Sequence, residues 1–160
     1  MEDTISFRPM TENEYARFRE RSVQDYAASC IASGDWSEEV ALQNAYAQFK
    51  KHLPDGLASP HNSLLTILHN NKEIGSLWLQ TRQQPLPDTL HILDIFISPR
   101  NRRQGLGKRA MDALEVMAKK QEVQALTLHV FPQNHAAQQL YRKQGFRNYP
   151  SGMVKYLAKA

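Results

Sequence analysis

The chain has 160 residues, 41% hydrophobic and 22% charged, which is enough for one globular domain with its own core and leaves no room for a second. Its single cysteine, Cys30, excludes an internal disulfide and argues against a cysteine-based zinc site, so no metal is expected. The net charge of +4 is unevenly spread: residues 1–97 carry 8 Lys/Arg against 13 Asp/Glu, and residues 98–160 carry 12 against 3.

The elements follow in order. Ile5 to Phe7, closed by Arg8-Pro9, reads as an edge strand. Thr11 followed by Glu14 has the spacing of a capping box. A helix is expected from there to about Ala32, with Tyr15, Phe18, Val23 (or Ser22) and Tyr26 on one rough face and Gly34 as its stop. Asp35 followed by Glu38 signals a second helix, running to about Leu53 and broken by Pro54-Asp55-Gly56. Leu64 to Leu68, the turn residues Asn70-Asn71, and Ile74 to Leu79 form a hairpin, with Gly75 a candidate bulge. Gln83 to Thr89 is a loop.

Leu90 to Ile97 is a strand. Simple alternation puts Ile92, Asp94 and Phe96 on one side and Leu93, Ile95 and Ile97 on the other. Gly105 to about Gln121 is an amphipathic helix with Ala110, Leu114, Met117 and Ala118 in one stripe. Ala125 to Val130 is a further strand. Asn134 opens a helix that ends at Gln144, before the C-cap position Gly145. Met153 to Leu157 gives a last short strand. The late β-α-β order requires the strands at 90–97 and 125–130 to pair in parallel, whereas the early hairpin is antiparallel. The fold class is therefore α/β (α+β), a mixed sheet flanked by helices. No run of apolar residues is long enough to span a membrane, and Met1 to Ile5 do not read as a signal peptide. A cytoplasmic protein without a membrane partner is expected.

The basic half centres on Arg102-Arg103-Gln104-Gly105-Leu106-Gly107-Lys108-Arg109, between a strand and a helix. Glycines let backbone amides approach a ligand closely, and the first amides of a helix have no internal partner. The combination suits phosphate or pyrophosphate. It is not a Walker loop. Nor is it a dinucleotide fingerprint, although Gly105, Gly107 and Ala110 match formally. The acidic residue expected about 20 positions later is missing, and seven residues separate Ile97 from Gly105.

A third pattern fits. Arg102-x-x-Gly105-x-Gly107 after an apolar strand resembles motif A of the GNAT superfamily of N-acetyltransferases. Asn134-x-x-Ala137-x-x-Leu140-Tyr141 with Gly145-Phe146 resembles that family's motif B. Gly34-Asp35-Trp36, Leu53-Pro54-Asp55-Gly56-Leu57 and Leu128-His129-Val130-Phe131 further resemble a small bacterial subgroup. The resemblance covers nearly the whole chain as one domain, 1–160, and implies a sheet whose parallel fourth and fifth strands splay apart.

It also implies acetyl-CoA as the cofactor. Pantetheine would enter between the splayed strands and pair with the backbone of Ile95 and Ile97. The pyrophosphate would sit on amides from Arg103, Gln104, Gly105, Leu106, Gly107 and Lys108, with Arg102, Arg103, Lys108 and Arg109 adding charge. Asn134 and Ala137 would flank the CoA arm, and the amide of Phe96 or Ile97 would face the thioester oxygen. Tyr141 matches the family's tyrosine near the CoA sulfur, where a phenol can protonate the leaving thiolate. The lesser alternative is a packed core tyrosine. Asp94 and His129 are the candidate bases, ahead of His61 and His91. Trp36 and Asp35 fall where the family builds its acceptor wall, although Trp36 could instead pack in the core.

The expected activity is acetyl transfer to a primary amine of a small molecule or peptide, by direct attack in a ternary complex. The alternatives are a non-catalytic acyl-CoA sensor and, less well matched, a nucleic-acid binder. The latter lacks aromatic stacking platforms among the arginines, so no nucleic acid is expected as partner. The family often forms homodimers, but no interface is legible here.

Overall fold

A computed structural model describes residues 3–157. The chain runs β1 (Ile5–Pro9), α1 (Glu12–Ala32), α2 (Glu38–His52), β2 (Asn62–His69), β3 (Lys72–Arg82), β4 (Thr89–Ile97), α3 (Leu106–Lys120), β5 (Ala125–Leu128), α4 (His135–Lys143), β6 (Arg147–Tyr149) and β7 (Gly152–Tyr156). The seven strands form one sheet in the order β1-β2-β3-β4-β5-β7-β6. Among the described residues, only β4 and β5 pair in parallel. None of the described helices is long and apolar enough to cross a membrane.

The capping box at α1 is present: Glu14 N donates to Thr11 Oγ1 at 3.2 Å, and Thr11 N donates to Glu14 Oε1 at 2.8 Å. Such a cap is worth about 1 kcal/mol. At α2 the expected cap is displaced. Ser37, not Asp35, holds the N-cap position, and it makes no side-chain capping bond. The Asp35 carboxylate is taken by Ser33 Oγ at 2.7 Å, inside the turn that Gly34 makes at φ 81°. In the β2–β3 hairpin, Asn70 and Asn71 both adopt left-handed backbone, as a tight primed turn demands.

Two bulges shape the sheet. In β3 the extra residue is Ile74, next to the expected Gly75. Gly75 serves a different need, because a Cβ there would lie 1.9 Å from the Phe96 carbonyl oxygen. In β4 the extra residue is Leu93: Leu79 pairs with Ile92 and Trp78 with Asp94. The alternation expected for 90–97 is therefore broken. Leu90, Ile92, Ile95 and Ile97 face α3, whereas Leu93 packs towards α1 and α2. Asp94 and Phe96 meet Arg21 of α1, so they do not share a side with Ile92.

The sheet separates two cores. On one face, Leu106, Ala110, Leu114 and Ala118 of α3 pack on Ile67, Leu77 and Leu126. On the other, Phe18 and Val23 of α1 and Ala41, Ala45 and Phe49 of α2 close over Trp78. Phe18 meets Trp78 edge-on at 5.9 Å between ring centroids. Each large side chain buried in this way contributes roughly 1.5–3 kcal/mol of transfer free energy. Tyr26, expected on the buried face of α1, is 42% exposed and turns towards Trp36 and Phe131.

Candidate active site

β4 and β5 pair only from Thr89–Ile92 against Ala125–Leu128. β4 continues for five residues, but β5 stops two residues short of the expected Val130. Its other neighbour fixes that end. Gly152 of β7 comes so close that a Cβ would lie 2.3 Å from the Leu128 carbonyl oxygen. The backbone groups of Leu93 to Ile97 that face β5 thus have no strand partner. Beyond Ile92 and Leu128 the strands enclose a cleft of about 220 Å³, lined by Asp94, Ile95, Val130, Asn134, Ala137 and Tyr141 among others.

The glycine loop sits at the open end of β4. A short 3₁₀ turn, Pro99–Asn101, leads into Arg102, whose Nε donates to the Ile97 carbonyl at 2.7 Å. Its guanidinium lies 5.1 Å from the Phe96 ring centroid. Arg103 and Gly105 both have left-handed φ, at 65° and 74°, and Gly105 is the N-cap of α3. A Cβ on Gly105 would meet no atom within 4 Å, so the space over this turn is open. Leu106 is buried, and its side chain anchors the first turn of α3 in the core. Gln104 and Lys108 are exposed, and Gly107 is half-buried against Ile97. Two of the expected phosphate cations have other partners. Lys108 bonds Asp112 at 3.1 Å, and Arg109 bonds Asp3 at 2.7 Å. Arg102 and Arg103 are the exposed arginines of the cradle.

Asn134 caps α4, its side chain accepting from Ala137 N at 3.2 Å. One turn later α4 carries Tyr141 into the cleft, where its ring rests edge-on against Phe146 at 5.8 Å. Burial pushes the Tyr141 phenol above its ordinary pKa, and the nearby Asp94 carboxylate adds to the effect. Asp94 Oδ2 accepts from Arg21 Nη2 at 2.7 Å. Burial raises the Asp94 pKa, and Arg21 works against that rise.

His129 follows β5 rather than lying within it, so its expected place on the strand is corrected. It is exposed, with its ring 5.3 Å from Phe131, at the mouth of the cleft. A second cavity of about 260 Å³ lies beside the cleft, beneath α1 and α2. Ile92, Leu93, His129 and Phe131 line both. This second cavity is walled by Tyr26, Phe49 and Trp78 and reaches His52, Arg82 and His91. Trp36 stands behind Tyr26, ring centroids 5.6 Å apart, and packs on the α1–α2 core; Asp35 is exposed beside it. Neither lines the cleft or this second cavity. His61 lies in an exposed turn before β2.

Sequence reasoning missed Arg21 and Arg82. Arg21 is on the turn of α1 after Phe18, but its partner Asp94 is 73 positions away, and no local pattern joins them. Arg82 ends a strand beside a loop, where a cation carries no signal of its own.

A parted parallel pair with a glycine turn after the open end of β4 and a phenol in the cleft is the layout of a coenzyme-A-dependent transferase. A sequence profile of the Acetyltransferase (GNAT) family matches residues 23–146. The uncharacterised N-acetyltransferases YycN and YdgE of Bacillus subtilis are each 31% identical to the chain. YycN aligns over 96% of this chain and 99% of its own, and YdgE over 86% and 88%. The crystal structure of YycN superposes with a TM-score of 0.86 at 30% identity, covering 98% of this chain and 100% of that one. The PaiA N-acetyltransferase of Thermoplasma acidophilum, solved in complex with coenzyme A, shares the fold. Its TM-score is 0.65 at 19% identity, over 96% and 99% of the two chains. The chain belongs to the GNAT family of acetyltransferases, whose acyl donor is acetyl-CoA.

The residues present suit that donor. Unpaired strand groups at Leu93–Ile97 can take the amides of an extended arm. The open Gly105 turn and free α3 amides can take its phosphates.

Proposed function

We propose that the protein transfers an acetyl group from acetyl-CoA directly to a primary amine of a small molecule that enters through the cavity beneath α1 and α2. The observation that carries this reading is that Leu93 and His129 line two adjacent cavities at once. One lies between the parted strands beside Asn134 and Tyr141, and the other lies beneath α1 and α2, so donor and acceptor can be held together. Orientation of two bound reactants supplies much of the acceleration in such a transfer. The cavity holds about 260 Å³, which supports a small acceptor over a folded protein surface.

Bound acetyl-CoA supplies an activated thioester. Ile95 and Ile97 hold its arm through backbone groups, and Asn134 and Ala137 bound the other side. Arg103 to Lys108 present amides to the phosphates, and Arg102 and Arg103 add charge. The amide of Phe96 or Ile97 is placed to stabilise charge on the thioester oxygen. Tyr141 keeps its proton at neutral pH, because burial raises its pKa, and so can give it to the leaving thiolate. For the amine's proton, His129 is favoured over Asp94. Its imidazole lines both cavities, whereas Asp94 is already bonded to Arg21. Asp94 then positions α1 against β4. Tyr26 forms the outer acceptor wall, with Trp36 packed behind it.

The test is calorimetric titration of the protein with acetyl-CoA, followed by thiol release over a panel of primary amines. Saturable binding and turnover with at least one small amine are expected. Absence of acetyl-CoA binding overturns the reading. Binding with no turnover on any amine favours the acyl-CoA sensor instead.

A further inference from the structure

The acceptor cavity holds an unmatched positive charge. Its charged and titratable lining includes Arg82, His52, His91 and His129, and no carboxylate lines it among the described residues. The Arg82 Nε donates to Gln80 Oε1 at 2.9 Å, and its two Nη groups have no hydrogen-bond partner among the described residues. His91 Nδ1 lies 2.8 Å from Thr127 Oγ1, and burial, with Arg82 next in effect, brings its pKa down to about 4. Burial lowers the pKa of His52 as well. At neutral pH the inner wall therefore offers neutral imidazoles and one half-buried guanidinium.

We infer that the acceptor is an amine bearing a carboxylate, with Arg82 binding the carboxylate at the far end of the cavity. This rests on the proposed acetyl transfer and adds the substrate class. A cationic or diamine acceptor would place its second charge against Arg82 without a counter-ion. A planar guanidinium with both Nη groups free matches a carboxylate in two-point contact. One cation matches a monoanion.

Position sets the length. Arg82 pairs with Thr89, and the gap between β4 and β5 opens after Ile92, three residues further on. At about 3.3 Å per residue this is roughly 10 Å, part of which the Arg82 side chain can span. Much of the remaining wall is apolar, with Val23, Phe49, Trp78 and Leu93 beside the polar Ser22 and Gln48. That apolar part fits a short methylene chain between the amine and the carboxylate.

The test is calorimetric titration of the wild-type protein, with and without saturating CoA, using 4-aminobutanoate, 6-aminohexanoate and 8-aminooctanoate. Alkylamines and α,ω-diamines of the same chain lengths serve as comparisons. At least one amino carboxylate should bind ten times or more tighter than the matching alkylamine and diamine. Arg82→Gln should reduce that preference tenfold or more and leave CoA affinity within twofold. Equal or tighter binding of the alkylamine or diamine overturns the inference, as does no measurable binding of any amino carboxylate. A preference unchanged in Arg82→Gln also overturns it. The wild-type comparison needs no variant, so misfolding of Arg82→Gln does not blunt it. Loss of acetyl-CoA binding or turnover would sink the transferase reading while the carboxylate preference is still read in free protein.

Discussion

Arg21 of α1 reaches across the sheet face to Asp94 of β4, Nη2 to Oδ2 at 2.7 Å, and lays the same guanidinium 3.8 Å over the Phe96 ring. It also bonds Ser76 Oγ at 3.2 Å and Asp25 at 3.3 Å. One side chain thus fixes α1 to the part of β4 that has lost its β5 partner. The bulge at Leu93 makes this contact, since unbroken alternation would turn Asp94 to the face of Ile92.

Removing either partner of this pair should therefore have unequal effects. Arg21→Gln leaves a half-buried carboxylate without its cation and should cost about 3 kcal/mol. Asp94→Asn removes the charge that burial disfavours and should cost less. The raised Asp94 pKa gives the pH sign. Its contribution to stability is fully present below the unfolded pKa and is lost as pH rises through the folded value. Asp94→Asn should flatten that fall, which urea unfolding between pH 4 and 8 will show.

If His129 takes the amine's proton, His129→Ala should lower kcat by about 100-fold or more. Asp94→Asn should lower it by about tenfold or less, through loss of position alone. Steady-state rates on an accepted amine, with acetyl-CoA saturating, separate the two. The reverse order would return the base role to Asp94.

Tyr141→Phe should cut kcat by about 100-fold or more while leaving CoA affinity nearly unchanged, because the ring still packs on Phe146. Burial and Asp94 hold the phenol pKa above its usual value. Wild-type activity should therefore persist through alkaline pH until the phenol ionises. The variant should lack that alkaline limb, and a pH–rate profile of thiol release measures both.

Substitution at Gly105 tests the cradle with little damage to the fold. The position needs left-handed backbone but has open space around it, and Asn and Asp tolerate that conformation better than other residues. Gly105→Asp places a negative charge at the mouth of the phosphate site and should weaken CoA binding by roughly 100-fold. Gly105→Asn should lose far less. Unfolding temperatures close to wild type in both would tie the difference to charge.

The helices, the early hairpin and the parallel strand pair were legible because each carries a periodic, turn or capping signal. Thr11–Glu14 and Asn134 became caps, and Asn70-Asn71 became a turn. The neighbourhood of the cleft was legible through Gly105 and Asn134, which open helices, and Tyr141 within α4. What escaped depends on distant partners. The end of β5 at Leu128 is set by Gly152, the Leu93 bulge by its register with Trp78 and Leu79, and Arg109 is drawn to Asp3. The acceptor cavity escaped for the same reason, since α1, α2, β3 and β4 meet there only after folding.

Glu14 should give the protein an acid-sensitive anchor. Its carboxylate takes two bonds from Arg8, at 2.6 and 2.8 Å, besides the Thr11 amide. The Arg8 guanidinium, more than any other neighbour, holds its pKa at about 2 against an ordinary 4.5. A depressed carboxylate pKa contributes stability above the unfolded pKa and loses it as pH falls through the folded value. The window here runs from about pH 4.5 down to about 2. Glu14→Gln should cost on the order of 2 kcal/mol at pH 7, allowing for solvent screening at the 42% exposed Arg8. For a chain of this size that is a fall of roughly 4–8 °C in Tm. The gap between wild type and variant should close as pH falls through that window, and a gap that stays constant would show that Glu14 acts through packing alone.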